Sequence, residues 1–162
     1  MAVTLRLDTD VDIPSGSIVF FTPSDFIGDE IAEITKSSFC HVAIAFKDET
    51  GKSLIIECQG GTDKRVVDMD FYKGRIVSVI TGYDWHALRD KAMQGLGSQN
   101  YDYIECALAG LKDLFREYGV NWSLKSHSSG HICSTFVAQV LGVSDEIVSP
   151  GDLFKILTSE AK

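Results

Sequence analysis

Three side chains of the kind that together activate a thiol stand far apart in this chain: His41, Glu57 and Cys133. Cys133 lies in SGHICSTFVAQVLG, residues 129–142, where Cys133, Phe136, Val137, Val140 and Leu141 recur at i, i+3, i+4, i+7 and i+8. That is the stripe of a helix with one face toward a core. It puts a thiol on the inward face of the helix and at its N-terminal end. Two readings compete. A free cysteine is often a small buried filler, whereas a helix N-terminus also stabilises a thiolate and so favours a nucleophile.

The partner groups come from a hairpin. HVAIAF and SLIIEC flank the turn KDETGK, and each alternates with period two. A one-residue slip would turn every side chain to the other face, so the apolar sets 42/44/46 and 54/56/58 must share a face. His41 then falls on the opposite face with Glu57 and Gln59, within direct or diagonal cross-strand reach. Glu-Thr-Gly, with Gly51 left-handed, is a suitable three-residue loop for this register. Ala43 and Ala45 share the face of His41, and their small size leaves room for a helix. The stripe led by Cys133 is expected there. His41 would take the thiol proton, while Glu57 (or Gln59, the competing orienter) fixes the ring. Backbone N–H groups at the helix start would hold an oxyanion.

The elements around them follow from local pattern. SIVFFT reads as a strand after Pro14-Ser15-Gly16, and RIVSVITGY as another from Arg75. Helices are expected from Ser24 (Ile27, Ile31, Ile34), after Asp84, over YIECALAGLKDLFREYG up to Gly119, from Cys133 to Gly142, and after Ser149. The last has Pro150 in its first position and Asp152 in its third. Strands first and helices later indicate an α+β fold, with a mostly antiparallel sheet packed against helices. The 162 residues are read as one domain over 1–162.

The net charge of −8 and the lack of a Lys/Arg cluster argue against nucleic-acid binding. No stretch approaches the length of a transmembrane helix. MAVTLRLDTDVDIPSG has acids and no long apolar run, so no signal peptide is expected. A cytoplasmic chain with reduced thiols is the simplest expectation; release by lysis or non-classical export is the alternative. Cys40, Cys58 and Cys106 show no CxxC spacing and read as packing residues.

The series GSIVFF, SSFCHVAIAF, LIIECQGG, YDYIECAL, HICSTFVAQVLG and SPGDLF resembles the permuted NlpC/P60 papain-like proteins, in particular their YiiX/YaeF-like branch. More distantly it resembles the lecithin retinol acyltransferase-like group. The resemblance runs from about Ser15 to Leu153. It implies a circularly permuted papain-like fold, a nucleophile at Cys133, a base at His41 and a polar orienting residue at Glu57. The His-before-Cys order is that of the permuted branch. The implied activity is that of a cysteine peptidase or amidase acting through an acyl-enzyme, without a cofactor. The implied substrates are small peptides such as murein stem peptides, or lipid acyl groups. An acyltransferase or thioesterase of the same fold, and a binding module without turnover, are the rival readings.

His127, His131 and Cys133 in HSSGHIC offer zinc-type ligands. The stretch reads as a loop entering a helix, whose alternation does not fix a tetrahedron, so no metal is expected. His131 remains a second base, a substrate contact or a solvated loop residue.

Overall fold

A computed structural model of the chain describes residues 2–8, 11–24, 37–59, 64–97, 132–144 and 146–159. The strands are β1 (Ala2–Arg6), β2 (Ser17–Phe21), β3 (His41–Lys47), β4 (Ser53–Glu57), β5 (Arg65–Asp68) and β6 (Ile76–Ile80). A 3₁₀ turn, Met69–Tyr72, follows β5. The helices among the described residues are α1 (Trp85–Met93), α2 (Cys133–Leu141) and α3 (Pro150–Ser159). The strands form one open sheet in the order β1-β6-β2-β3-β4-β5, antiparallel throughout. The fold is therefore α+β. No helix among the described residues is long and apolar enough to cross a membrane.

The hairpin has the register that its alternation dictates. Ile44 pairs with Ile56 and Lys47 with Ser53, around a loop in which Gly51 takes φ +84°. Asp48 holds that loop by accepting from the N–H groups of Thr50 and Lys52, each at 2.9 Å. The helix ends follow their caps as well. The Asp84 carboxylate accepts from His86 N–H at 2.9 Å, and Ser149 Oγ from Asp152 N–H at 3.2 Å. The expected helices after Ser24 and over 103–119 lie outside the described residues.

The sheet buries both faces. On one, Ile18, Phe20, Val42, Ile44, Phe46, Ile56 and Cys58 pack against Cys133, Phe136, Val137 and Val140 of α2, with Leu153 and Leu157 of α3. On the other, Val19, Phe21, Ala43, Ala45, Ile55, Val77 and Val79 are covered by Leu7, Ile13, Met69 and Tyr72. So α2 lies on the branched apolar face, and the expectation that it packs on the alanine face is corrected. The reason is area. A buried valine or isoleucine contributes roughly 1.5–3 kcal/mol, an alanine methyl only about 0.8 kcal/mol. The helix takes the larger surface, and the slender 3₁₀ turn takes the face that alanines leave shallow.

Gly16 joins this sheet to the entry of α1. Its φ is +85°, and a Cβ there would lie 2.4 Å from the Tyr83 carbonyl oxygen and 3.1 Å from Trp85 N. Both objections are to backbone, which yields little. Gly16→Ala should cost about 2–3 kcal/mol, read as a lowered urea midpoint at unchanged slope.

Candidate active site

His41 opens β3, and its side chain is 13% exposed. Phe21 and Tyr72 flank the ring, with centroids 5.4 and 6.3 Å away. This wall restricts rotation, so the ring presents its two nitrogens in fixed directions. Nε2 is 2.8 Å from Glu57 Oε2. Glu57 closes β4 with its side chain fully buried. Carried one residue past the Ile44–Ile56 pair, the register brings Glu57 level with Ala43, two residues along β3 from His41, a diagonal neighbour.

Cys133 is the first residue of α2, 4% exposed, and its charge acts on the His41 imidazole. Because Nε2 is taken by Glu57, Nδ1 is the ring nitrogen left to serve a thiol. Cys133 acts on His41 although α2 covers the opposite sheet face. Both residues stand at the ends of their elements, where no further strand residue separates the two faces. Ile132 is the N-cap and provides no side-chain cap; the first helical bond is Phe136 N–H to the Ile132 carbonyl, at 3.0 Å. The N–H groups of the first turn therefore carry the positive end of the helix beside the sulfur. Gly142, at φ 70°, ends the helix, and Ser134 Oγ ties it to the Val148 carbonyl at 2.6 Å.

Glu57 does more than meet His41. Tyr72 O–H donates to Oε2 at 2.7 Å, and Arg65 Nε to Oε1 at 2.9 Å. Arg65 Nη2 also lies 2.9 Å from Oε1. Gln59 stands behind this group: its Oε1 accepts from Arg65 Nη2, and from Tyr72 O–H at 3.5 Å. Of the two competing orienters, Glu57 is the one at the imidazole. Cys58 packs in the core with Ile56, and Cys40 donates its thiol to the Phe21 carbonyl at 3.5 Å. Cys106, His127 and His131 lie outside the described residues.

Arg65 and Tyr72 were not foreseen. They sit on a four-residue edge strand and a 3₁₀ turn, elements too short to show a period. The only local signal is that Arg65 stands opposite Glu57, which appears once the β4–β5 register is known.

The charges explain each other. Burial disfavours an imidazolium, but Cys133, then the hydrogen bond and charge of Glu57, outweigh it and push His41 up from 6.5 to about 10. Burial likewise disfavours the Glu57 carboxylate. His41, Tyr72 and Arg65 overcome this and hold it below its ordinary value. Burial and the neighbouring Glu57 raise the Tyr72 phenol, so it stays a donor.

A pH dependence of stability follows. The contribution of Glu57 is present above its unfolded value and is lost as pH falls through its depressed folded value. That of His41 is present below 6.5 and is lost as pH rises through about 10. Melting temperature against pH should show a neutral plateau with both limbs, and His41→Ala should remove the alkaline one. An alkaline limb unchanged in His41→Ala would contradict this assignment.

In comparisons with known proteins, no family model matches the chain, and no curated protein matches it.

Proposed function

We propose that this chain is a cysteine hydrolase of the permuted NlpC/P60 papain-like kind, cleaving an amide bond through an acyl-enzyme. The observation that carries the reading is the His41–Glu57 hydrogen bond, with Cys133 at the start of α2 coupled electrostatically to the same imidazole. A nucleophile, a base and an orienting acid occur in mechanistic order, with the nucleophile at a helix N-terminus.

The Cys133 thiolate attacks the carbonyl carbon. A C–S bond forms while the C=O π electrons move to oxygen, and the N–H groups of the first turn of α2 stabilise that oxyanion. As the oxyanion collapses, the C–N bond breaks and the His41 imidazolium gives its proton to the departing nitrogen. The product amine leaves a thioester on Cys133. Water then attacks the thioester carbonyl, and neutral His41 takes a proton from it. Collapse of this second oxyanion breaks the C–S bond and releases the acid. The proton left on His41 restores the starting pair. Glu57 stays ionised throughout and balances the charge on the ring. The side chains and water carry every step. Small peptides of the murein type are the proposed substrates, and acyl esters and thioesters are the competing class.

The test is product release from murein peptides and from acyl esters by the wild type and by Cys133→Ala. Amide cleavage that depends on Cys133 supports the reading. Cleavage confined to acyl esters would move the protein to the lipid-acyl class, and turnover by Cys133→Ala would end the proposal.

A further inference from the structure

We infer that Arg65 and Tyr72 are positioning residues of the Cys133 site, fixing Glu57 and, through it, the His41 ring that serves the thiol. The inference rests on the hydrolase reading above and concerns how its acid is held. An ionised carboxylate has about four lone-pair positions, and here three hydrogen-bond donors and one further guanidinium nitrogen meet them. Oε2 accepts from His41 Nε2 and the Tyr72 hydroxyl, and Oε1 from Arg65 Nε; Arg65 Nη2, which donates to Gln59, lies 2.9 Å from Oε1 as an ion-pair contact. Only one donor belongs to the proposed catalytic residues. The other two come from β5 and the 3₁₀ turn.

The arrangement has two consequences. Rotation of the carboxylate about its terminal bond would break charge-assisted hydrogen bonds on both oxygens, so the direction in which Glu57 accepts from His41 is set. The same donors favour the anion over the acid in a site where burial favours the acid. Among the described residues, the groups facing Glu57 are His41 from β3, Arg65 from β5, Tyr72 from the 3₁₀ turn and Gln59 after β4. Cys133 of α2 acts through His41. Gln59 accepts from Arg65 and Tyr72 and so braces both donors. Arg65 also lies 5.5 Å from the centroid of the exposed Phe71 ring, which covers the outer side of the guanidinium.

Removing a donor should let Glu57 take a proton at a higher pH. His41 then loses its counter-charge, and Cys133 loses reactivity, in mildly acidic solution but not at neutral pH. The experiment is the rate of Cys133 alkylation by iodoacetamide against pH, followed by peptide mapping. The proteins are wild type, Tyr72→Phe, Arg65→Lys, Arg65→Met, Glu57→Gln and Tyr72→Phe combined with Glu57→Gln. On the acid limb Tyr72→Phe should react about tenfold more slowly than wild type, equivalent to a displacement of one pH unit. At neutral pH the two should agree within about twofold. Arg65→Met should be displaced further and Arg65→Lys less, because the ammonium keeps the charge but not the two-pronged contact. In the Glu57→Gln background Tyr72→Phe should have no added effect on the acid limb.

A purely structural role would slow alkylation equally at all pH values, or leave it unchanged while lowering the melting temperature. Either result overturns the inference, as does an acid-limb shift that persists without Glu57. If Arg65→Met does not fold, Tyr72→Phe and Arg65→Lys decide. Alkylation needs no substrate, so the two proposals fail separately. Displaced limbs without any turnover reject the hydrolase reading alone, and turnover with undisplaced limbs rejects the positioning role alone.

Discussion

Cys133→Ala is expected to fold, to bind substrate and to release no product. The packing loss is small, because one sulfur is removed from a site 4% exposed beside Phe136 and Val137, at about 1 kcal/mol. The loss of turnover is of another order. Deleting the nucleophile of a cooperating set typically lowers kcat by on the order of 10⁴-fold or more, equivalent to over ~5 kcal/mol of barrier. No packing change of that size accompanies it, so stability and activity should separate cleanly. His41→Ala should fail almost as badly, since the thiol loses its base and the leaving nitrogen its acid. Both are measured as product release at matched folded concentration, with binding followed separately by calorimetry. Equal turnover by wild type and Cys133→Ala would return Cys133 to the role of core filler.

Glu57→Gln should be the most destabilising single-atom exchange in the site. All three groups hydrogen-bonded to the carboxylate are donors, and Arg65 Nη2 lies against it as well. An amide has one oxygen to accept and an NH₂ that only donates. If its oxygen faces His41 and Tyr72, its NH₂ faces the Arg65 guanidinium; if it flips, the NH₂ meets the imidazolium and the phenol. Either way a buried cation loses its counter-charge, at roughly 3–5 kcal/mol. For a chain of this length that is a fall in melting temperature of roughly 10 °C. Calorimetry at neutral pH checks it, and a fall below about 2 °C would contradict the described network. An isolated His–Glu pair would tolerate the amide as a ring orienter. The extra donors are what turn a mild substitution into a severe one.

Much of the architecture was legible because it is set by short-range rules. Period two gave β3 and β4, runs of β-branched and aromatic residues gave β2 and β6, and the three-residue loop with Gly51 fixed the β3–β4 register, hence the nearness of His41 to Glu57. Period 3.6 with Asp84, Ser149 and Gly142 placed the described helices and their ends. β1, β5 and the 3₁₀ turn carry no such signal. Four or five residues at a sheet edge, such as Arg65–Asp68, show too few alternations to stand out, and their partner strand supplies the order.

The sequence by itself determined the faces of the hairpin, the inward stripe of α2 and the three residues of the proposed chemistry. Only the tertiary structure decided which sheet face α2 covers, and that Glu57 is held from β5 and the 3₁₀ turn. A periodicity fixes a direction relative to its own backbone, because it is built from neighbours a few residues apart. Which surface meets that direction depends on competition between buried areas and buried charges across the whole chain. Val42, Ile44 and Ile56 outweighed the alanines for the helix, and a buried carboxylate drew the nearest guanidinium and phenol to itself.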